Sequence, residues 1–345
     1  MRRWVWVGAA LCLGGTPAWA ADDAGALVEM TALVRQLQEQ VAAQQEQLEF
    51  QGEALARVQR ARVAVGSGPA SFFETIELDG WVAASYFYNF ENPRGDSLAG
   101  ANAGLIPAYP FHPDSNSISL DQLWFEIERP IDEGHRAGFR ADIAYGKTAG
   151  LLSGVTPGDG LSGNDFDVYQ AYVQYLAPLG GGVRFQVGKF ATLIGAEVAQ
   201  SPENFNITRG HVYNLFQPIT HTGILVSTGR GPLSVALGLV NETRSFPAAD
   251  VDLNNDKALL WSLSYGEGPL SGSFNGTYGA SDSGQGEDTL AGDKELILDL
   301  ILGWDPSERF SAYINADWID SENSRPTKGL EFDGYGIAVA GRYAL

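Results

Sequence analysis

The sequence predicts an all-β chain: one antiparallel transmembrane β-barrel of about 12 strands, preceded by an N-terminal coiled-coil helix. Three observations predict it. From Ile76 onward, apolar residues recur with a period of two, the spacing of a strand with one apolar face. The connections between these segments alternate between short and long. No run of eighteen apolar residues follows the N-terminal segment, so any membrane crossing would be made by strands rather than helices.

Residues 1–20 read MRRWVWVGAALCLGGTPAWA, with Arg2 and Arg3 before an apolar run and Ala18-Trp19-Ala20 as an A-x-A cleavage site. This is the pattern of a secretory signal peptide. Its removal takes away two bases and no acid from a chain of formal charge −20, together with Cys12, the single cysteine. The remainder has no thiol chemistry, and its acidity argues against nucleic acid as a partner.

Residues 22–63 contain no proline and are rich in Gln, Glu, Ala and Leu. With Leu27 at heptad position a, the a positions are Leu27, Val34, Val41, Leu48 and Leu55, and the d positions are Met30, Leu37, Gln44, Gln51 and Val58. This apolar seam predicts a coiled coil and hence a homo-oligomer, with a trimer as the expected number. Residues 64–72 then read as a linker, and 73–345 as the barrel.

In the barrel, strand one opposes Ile76, Leu78, Val82, Ala84, Tyr86, Tyr88 and Phe90 to Glu77, Asp79, Ser85 and Asn89. Strand two (118–129) opposes Leu123, Phe125 and Ile127 to Gln122, Glu126 and Glu128. Strand three (136–146) opposes Phe139, Ala141, Ile143 and Tyr145 to Arg136, Arg140 and Asp142. Strand four (168–176) opposes Tyr169, Ala171, Val173 and Tyr175 to Gln170, Tyr172 and Gln174. Strand five (182–190) opposes Val183, Phe185 and Val187 to Arg184 and Gln186. Seven further strands follow at 219–228, 232–241, 257–266, 269–279, 294–304, 309–319 and 330–345.

RPIDEGH, APLGGG, TGRGP, GEGP and DPSER are short connections, whereas 91–117, 147–167 and 191–218 are long. Tight turns at one end and long polar loops at the other form the topology of an outer-membrane barrel. The apolar face then meets outer-membrane lipid, and Tyr145, Tyr175, Trp304 and Trp318 suit the interfacial girdles. Strand one enters from the side of the helix, which places the coiled coil and short turns in the periplasm and the long loops outside.

The segment 191–218 is the one long connection whose motifs stand out. It lies among GKF (188–190), IG-x-E (194–197), PENF (202–205), TRGH (208–211) and FQPITHTG (216–223). As a set these resemble the OmpL-like β-barrel porin-2 family of Gram-negative outer membranes, loosely over 73–345. The resemblance implies a channel and supplies no catalytic residue. It also implies a longer chain ending on Phe or Trp, whereas this one ends GIAVAGRYAL. A C-terminally truncated barrel is therefore expected in preference to a twelve-stranded one.

Strand parity assigns the acids Glu77, Asp79, Glu126, Glu128, Asp142, Glu295, Asp299 and Asp317 to the lumen, with Arg136, Arg140, Arg184, Arg309 and Arg342. The expected function is a porin: a water-filled channel for small hydrophilic solutes or ions, mildly cation-preferring through its charged wall. A loop folded inward from 191–218 would set a constriction with Glu197, Arg209 and His211. The rival reading is a non-conducting barrel that tethers the outer membrane to the cell wall or a partner through the coiled coil.

Enzymatic readings find little support. Ser227 shares a face with His221 but stands too far along the strand for a nucleophile–base pair, and the four histidines lack metal-ligand spacing. DVDLNNDK (250–257) lacks the Gly and Glu of an EF-hand, leaving only an irregular calcium site conceivable there. No cofactor is expected.

Overall fold

The computed structural model describes residues 69–88, 90, 110–112, 116–152, 165–244, 256–280, 294–324 and 330–344. Residues 1–20, the seam at 22–63 and nearly all of the calcium-like 250–257 segment lie outside the described residues. The chain divides into two compact units, Met1–Phe73 and Glu74–Leu345. The segment read as a linker ends in a short helix, α1 (Pro69–Glu74), which Pro69 opens; proline's fixed φ suits the first helical position.

Twelve strands form one sheet among the described residues, each hydrogen-bonded to its neighbour in sequence. They are β1 (Glu77–Phe87), β2 (Ser117–Arg129), β3 (Ala137–Tyr145), β4 (Phe166–Ala177), β5 (Val183–Ala191), β6 (Thr220–Arg230), β7 (Leu233–Val240), β8 (Ala258–Glu267), β9 (Leu270–Ala280), β10 (Lys294–Ser307), β11 (Phe310–Ser324) and β12 (Leu330–Tyr343). All pairings are antiparallel. No ladder joins β12 to β1, so the described sheet has two free edges.

Local chemistry explains the short turns. β6–β7 and β8–β9 are joined by Gly231-Pro232 and Gly268-Pro269, and both glycines sit at φ +60. A two-residue hairpin turn of this type needs positive φ at its first position, which glycine supplies, and proline fixes the second. In the β2–β3 turn, Asp132 Oδ1 accepts from the amides of Gly134 and His135 at 2.7 and 2.6 Å, which holds its carboxyl below the usual range.

The outward face follows the sequence reading. Leu78, Val82, Phe125, Val173, Leu237, Leu263, Leu302 and Val339 are all exposed, an apolar band fit to meet lipid. One residue assigned to that face does not belong there. Tyr169 is buried on the inner side, its ring 5.0 Å from that of Trp124. The register slips between Asp142 and Ile143, where Val168 and Gln170 pair but Tyr169 does not, and this bulge turns an extra residue inward.

The sheet is strongly curved. Ala196 N donates to Asn315 Oδ1 of β11 at 3.0 Å, and three residues later Ala199 O accepts from Gln122 Nε2 of β2 at 2.6 Å. In a flat sheet β2 and β11 would stand nine spacings, roughly 43 Å, apart. Three residues plus side-chain reach span at most about 25 Å, so the two ends of the sheet are bent toward each other.

Candidate functional site

The long connection between β5 and β6 lies against the inner face. It carries a 3₁₀ turn (Ser201–Glu203) and the helix α3 (His211–Phe216); a further short helix, α2 (Lys147–Leu152), follows β3, so α3 is the third helix in chain order. On one side the segment meets β2: Ser201 N donates to Gln122 Oε1 at 3.0 Å, and Trp81 Nε1 donates to the same oxygen at 2.9 Å. On the other side Phe205 packs 5.2 Å from the Tyr313 ring, and the Arg342 guanidinium lies 4.8 Å from the Phe205 centroid. Gly336 of β12 lets α3 come close: a Cβ there would stand 2.8 Å from Phe216 Cε2 and 3.0 Å from Val212 Cγ2.

Arg209 holds the segment together from within. It is 1% exposed, and its fork donates to the carbonyls of Val198 and Ile207, each at 3.1 Å, to Ala199 O, and to Ser201 Oγ at 3.2 Å. Its planar group also lies 4.6 Å from the centroid of Phe111. Burial lowers its pKa, opposed by Tyr213 and Glu197. Glu197 accepts from Gly210 N at 2.8 Å; burial raises its pKa, opposed by that amide and by Arg209. His112 nearby is brought down to about 4 by burial and the charge of Arg209. His211, the third residue expected at a constriction, is exposed at the first position of α3.

Where the lumen wall was expected, β2 and β3 bring four charges together. Arg140 reaches Asp142 at 2.7 Å, Glu126 at 2.9 Å and Glu128 at 3.4 Å. Gln170 donates to Asp142 at 2.7 Å and Gln174 to Glu128 at 3.3 Å. Arg184 stands exposed near the short-turn end of β5. Arg136 falls outside β3, in the short turn, where it donates to Leu176 O. Glu77 and Asp79 on β1 are exposed, and Arg309 lies in the β10–β11 turn. Glu295 is buried, accepting from Thr243 Oγ1 at 2.9 Å with Arg244 at 3.6 Å.

Asp299 and Asp317 pair across β10 and β11, both nearly fully buried, and amides tie them together. Asn315 Nδ2 donates to both carboxylates, Asn275 Nδ2 to Asp299 Oδ2 at 2.6 Å, and Gln217 Nε2 to Asp317 Oδ2 at 2.9 Å. Gln217 Nε2 also donates to Asn315 Oδ1 at 2.8 Å, so the end of the inward segment is bound to this cluster. Charge parity singled out the two acids but not the amides, which are neutral; the only sequence signal for Asn315 is that it shares a strand face with Asp317.

The inner face is not uniformly wet. Toward the long-loop end it is apolar, with Leu260, Ile297 and Ile319 packed with Ile194, Val212 and Phe216 of the inward segment. Trp124 and Tyr169 pack with Phe111, Tyr213 and Ile219 in a second cluster. His221 meets Thr192 Oγ1 at 3.0 Å, and among the described residues no group of three metal-ligating side chains occurs.

No curated protein matches the chain. Among solved structures, a loop L8 deletion mutant of OmpT, an outer membrane protein of Vibrio cholerae, is 12% identical, with a TM-score of 0.42 over 66% of this chain and 70% of that one. An anion-selective porin from Comamonas acidovorans is 13% identical, with a TM-score of 0.25 over 78% and 99% respectively. The family described as "Putative beta-barrel porin-2, OmpL-like" matches residues 75–345, most of the chain including all the described strands, and the chain belongs to that family.

Proposed function

We propose that the chain forms a water-filled channel through the outer membrane for small hydrophilic solutes or ions, with a mild preference for cations. Membership of a porin family carries the channel reading. The cation preference rests on the wall at β2–β3, where Arg140 is outnumbered by Glu126, Glu128 and Asp142. The coiled coil at 22–63 hangs in the periplasm and assembles three copies, with the long loops outside. Planar-bilayer recording of the refolded mature protein under a salt gradient tests this. Expected are repeatable steps that close in threes and a reversal potential of cationic sign. Silence from folded protein, even when the inward segment is freed by substitution, would favour the tethering role instead.

The channel requires a closed barrel, because open strand edges cannot face lipid, and its closing pair is β1 with β12. Three observations support that closure. The contacts of Ala196 and Ala199 hold the ends of the sheet within reach of each other. The intervening strands of a second copy would separate β11 from β2 by more than the roughly 25 Å those contacts span. Glu77 and Asp79 on β1 would also meet Arg342 on β12 at the short-turn end.

With Cys12 absent, the chain is free of cysteine. Asp79→Cys combined in turn with Ala338→Cys, Ala340→Cys and Arg342→Cys is expected to give a disulfide within one chain at one register. Bonds only between chains, or none in folded protein, would mean that something other than β1 closes β12.

A further inference from the structure

The inner face is covered at one level from β2 to β11, and Trp81 of β1 and Ala338 of β12 pack partly buried against the same clusters. Strands β2 to β11 each present a buried inward residue there, among them Trp124, Tyr169, Phe190, Leu260, Ile297 and Ile319. The outward face of the same strands is exposed, so this burial is not a property of the strands. What covers the inner residues is loop: Ala199, Tyr213 and Ile219 in one apolar cluster, Ile194, Val212 and Phe216 in the other. A water-filled passage at that level would leave some stretch of inner wall exposed, and apolar packing of this kind excludes water.

We infer that the segment between β5 and β6 is a resting plug rather than a fixed eyelet, and that the channel conducts only when its α3 end swings off the β11–β12 wall. This rests on the channel reading above.

The way the segment is attached identifies the moving part. Arg209 rigidifies the portion 198–209 from inside, and Gln122 ties that portion to β2. The far end is held differently. Gln217 spans Asn315 and Asp317 by single amide hydrogen bonds, Val212 and Phe216 rest on the bare backbone of Gly336, and Arg244, just after β7, donates to Leu215 O and Phe216 O from outside the β11–β12 wall. Gln217 is neutral, and Asp317 keeps its bond from Asn315 when Gln217 leaves, so the clasp opens without stripping that carboxylate of every donor. On the β2 side, movement would break both Gln122 bonds and lift Ala199 out of its cluster with Trp124 and Tyr169. The α3 end is therefore the free end, while Phe205 stays seated on Tyr313.

Release and locking test this in opposite directions. Gln217→Ala removes the amide clasp, and Gly336→Val places a side chain where Phe216 and Val212 now sit. Val212→Cys with Gly336→Cys, in a chain lacking Cys12, would tether α3 to β12. In bilayers the unaltered protein is expected to open rarely. Each release variant should raise the open fraction about tenfold or more, a change of ~1.4 kcal/mol. The oxidised tether should abolish openings, and reductant should restore them. An unaltered protein that rests fully open, and is indifferent to the tether, overturns the plug while leaving the channel intact. If folded protein stays silent in every form, including the release variants, the channel reading fails and the plug with it.

Discussion

Replacing Arg209 with methionine should leave the strands in place and dismantle the segment that lies across the inner face. The side chain is buried, and its donors serve the carbonyls of Val198, Ala199 and Ile207. Methionine fills similar volume but strands those carbonyls, at about 1–3 kcal/mol for each buried group left without a partner. Several such losses exceed what a loop's own packing can hold, whereas the strand ladders are untouched. The expected result is rapid proteolysis within 191–219, noisy high conductance, and an unchanged melting transition of the sheet. Arg209→Lys should behave almost as badly, because an ammonium cannot reproduce a planar fork spread over three carbonyls. A lysine variant with a protected loop would show that charge, not hydrogen-bond geometry, is what the position requires.

Removing the guanidinium of Arg140 should act on selectivity instead. Glu126, Glu128 and Asp142 converge on it within 3.4 Å. Arg140→Gln keeps a donor beside them and deletes the positive charge. At an effective dielectric of ~20, a unit pair about 4 Å apart interacts by ~4 kcal/mol. A threefold rise in the cation-to-anion permeability ratio requires only about 0.6 kcal/mol, so it should survive heavy screening by lumen water. Glu126→Gln should move the ratio the other way. Reversal potentials measured on channels opened by Gln217→Ala would separate this effect from plugging. An unchanged ratio in both variants would place the ion path away from β2 and β3.

Much of the architecture is legible in short windows of sequence. The period-two pattern marks all twelve strands to within a few residues, and Gly231-Pro232 and Gly268-Pro269 announce their turns. These features are local: a pleat alternates faces every residue, and a hairpin turn needs its φ values wherever it occurs. Tyr169 shows where that logic ends. Its place in the alternation points it to lipid, and a bulge specified jointly by β3 and β4 points it inward. Nothing within β4 alone reveals the extra residue.

The segment between β5 and β6 marks the same boundary at larger scale. Its length and its motifs set it apart as a sequence, and the residues singled out there, Glu197 and Arg209, do occupy one folded unit. Their roles depend on partners that no local pattern names. Ala196 meets Asn315 across 119 positions and Gln217 meets Asp317 across 100. Periodicity fixed within ten residues was enough to determine a chain of alternating strands with unequal ends and an acidic, lipid-ready surface. Which inward residues meet water and which meet a loop was decided only by tertiary structure, because curvature accumulates over the whole sheet and alone brings β2 and β11 to the same few residues.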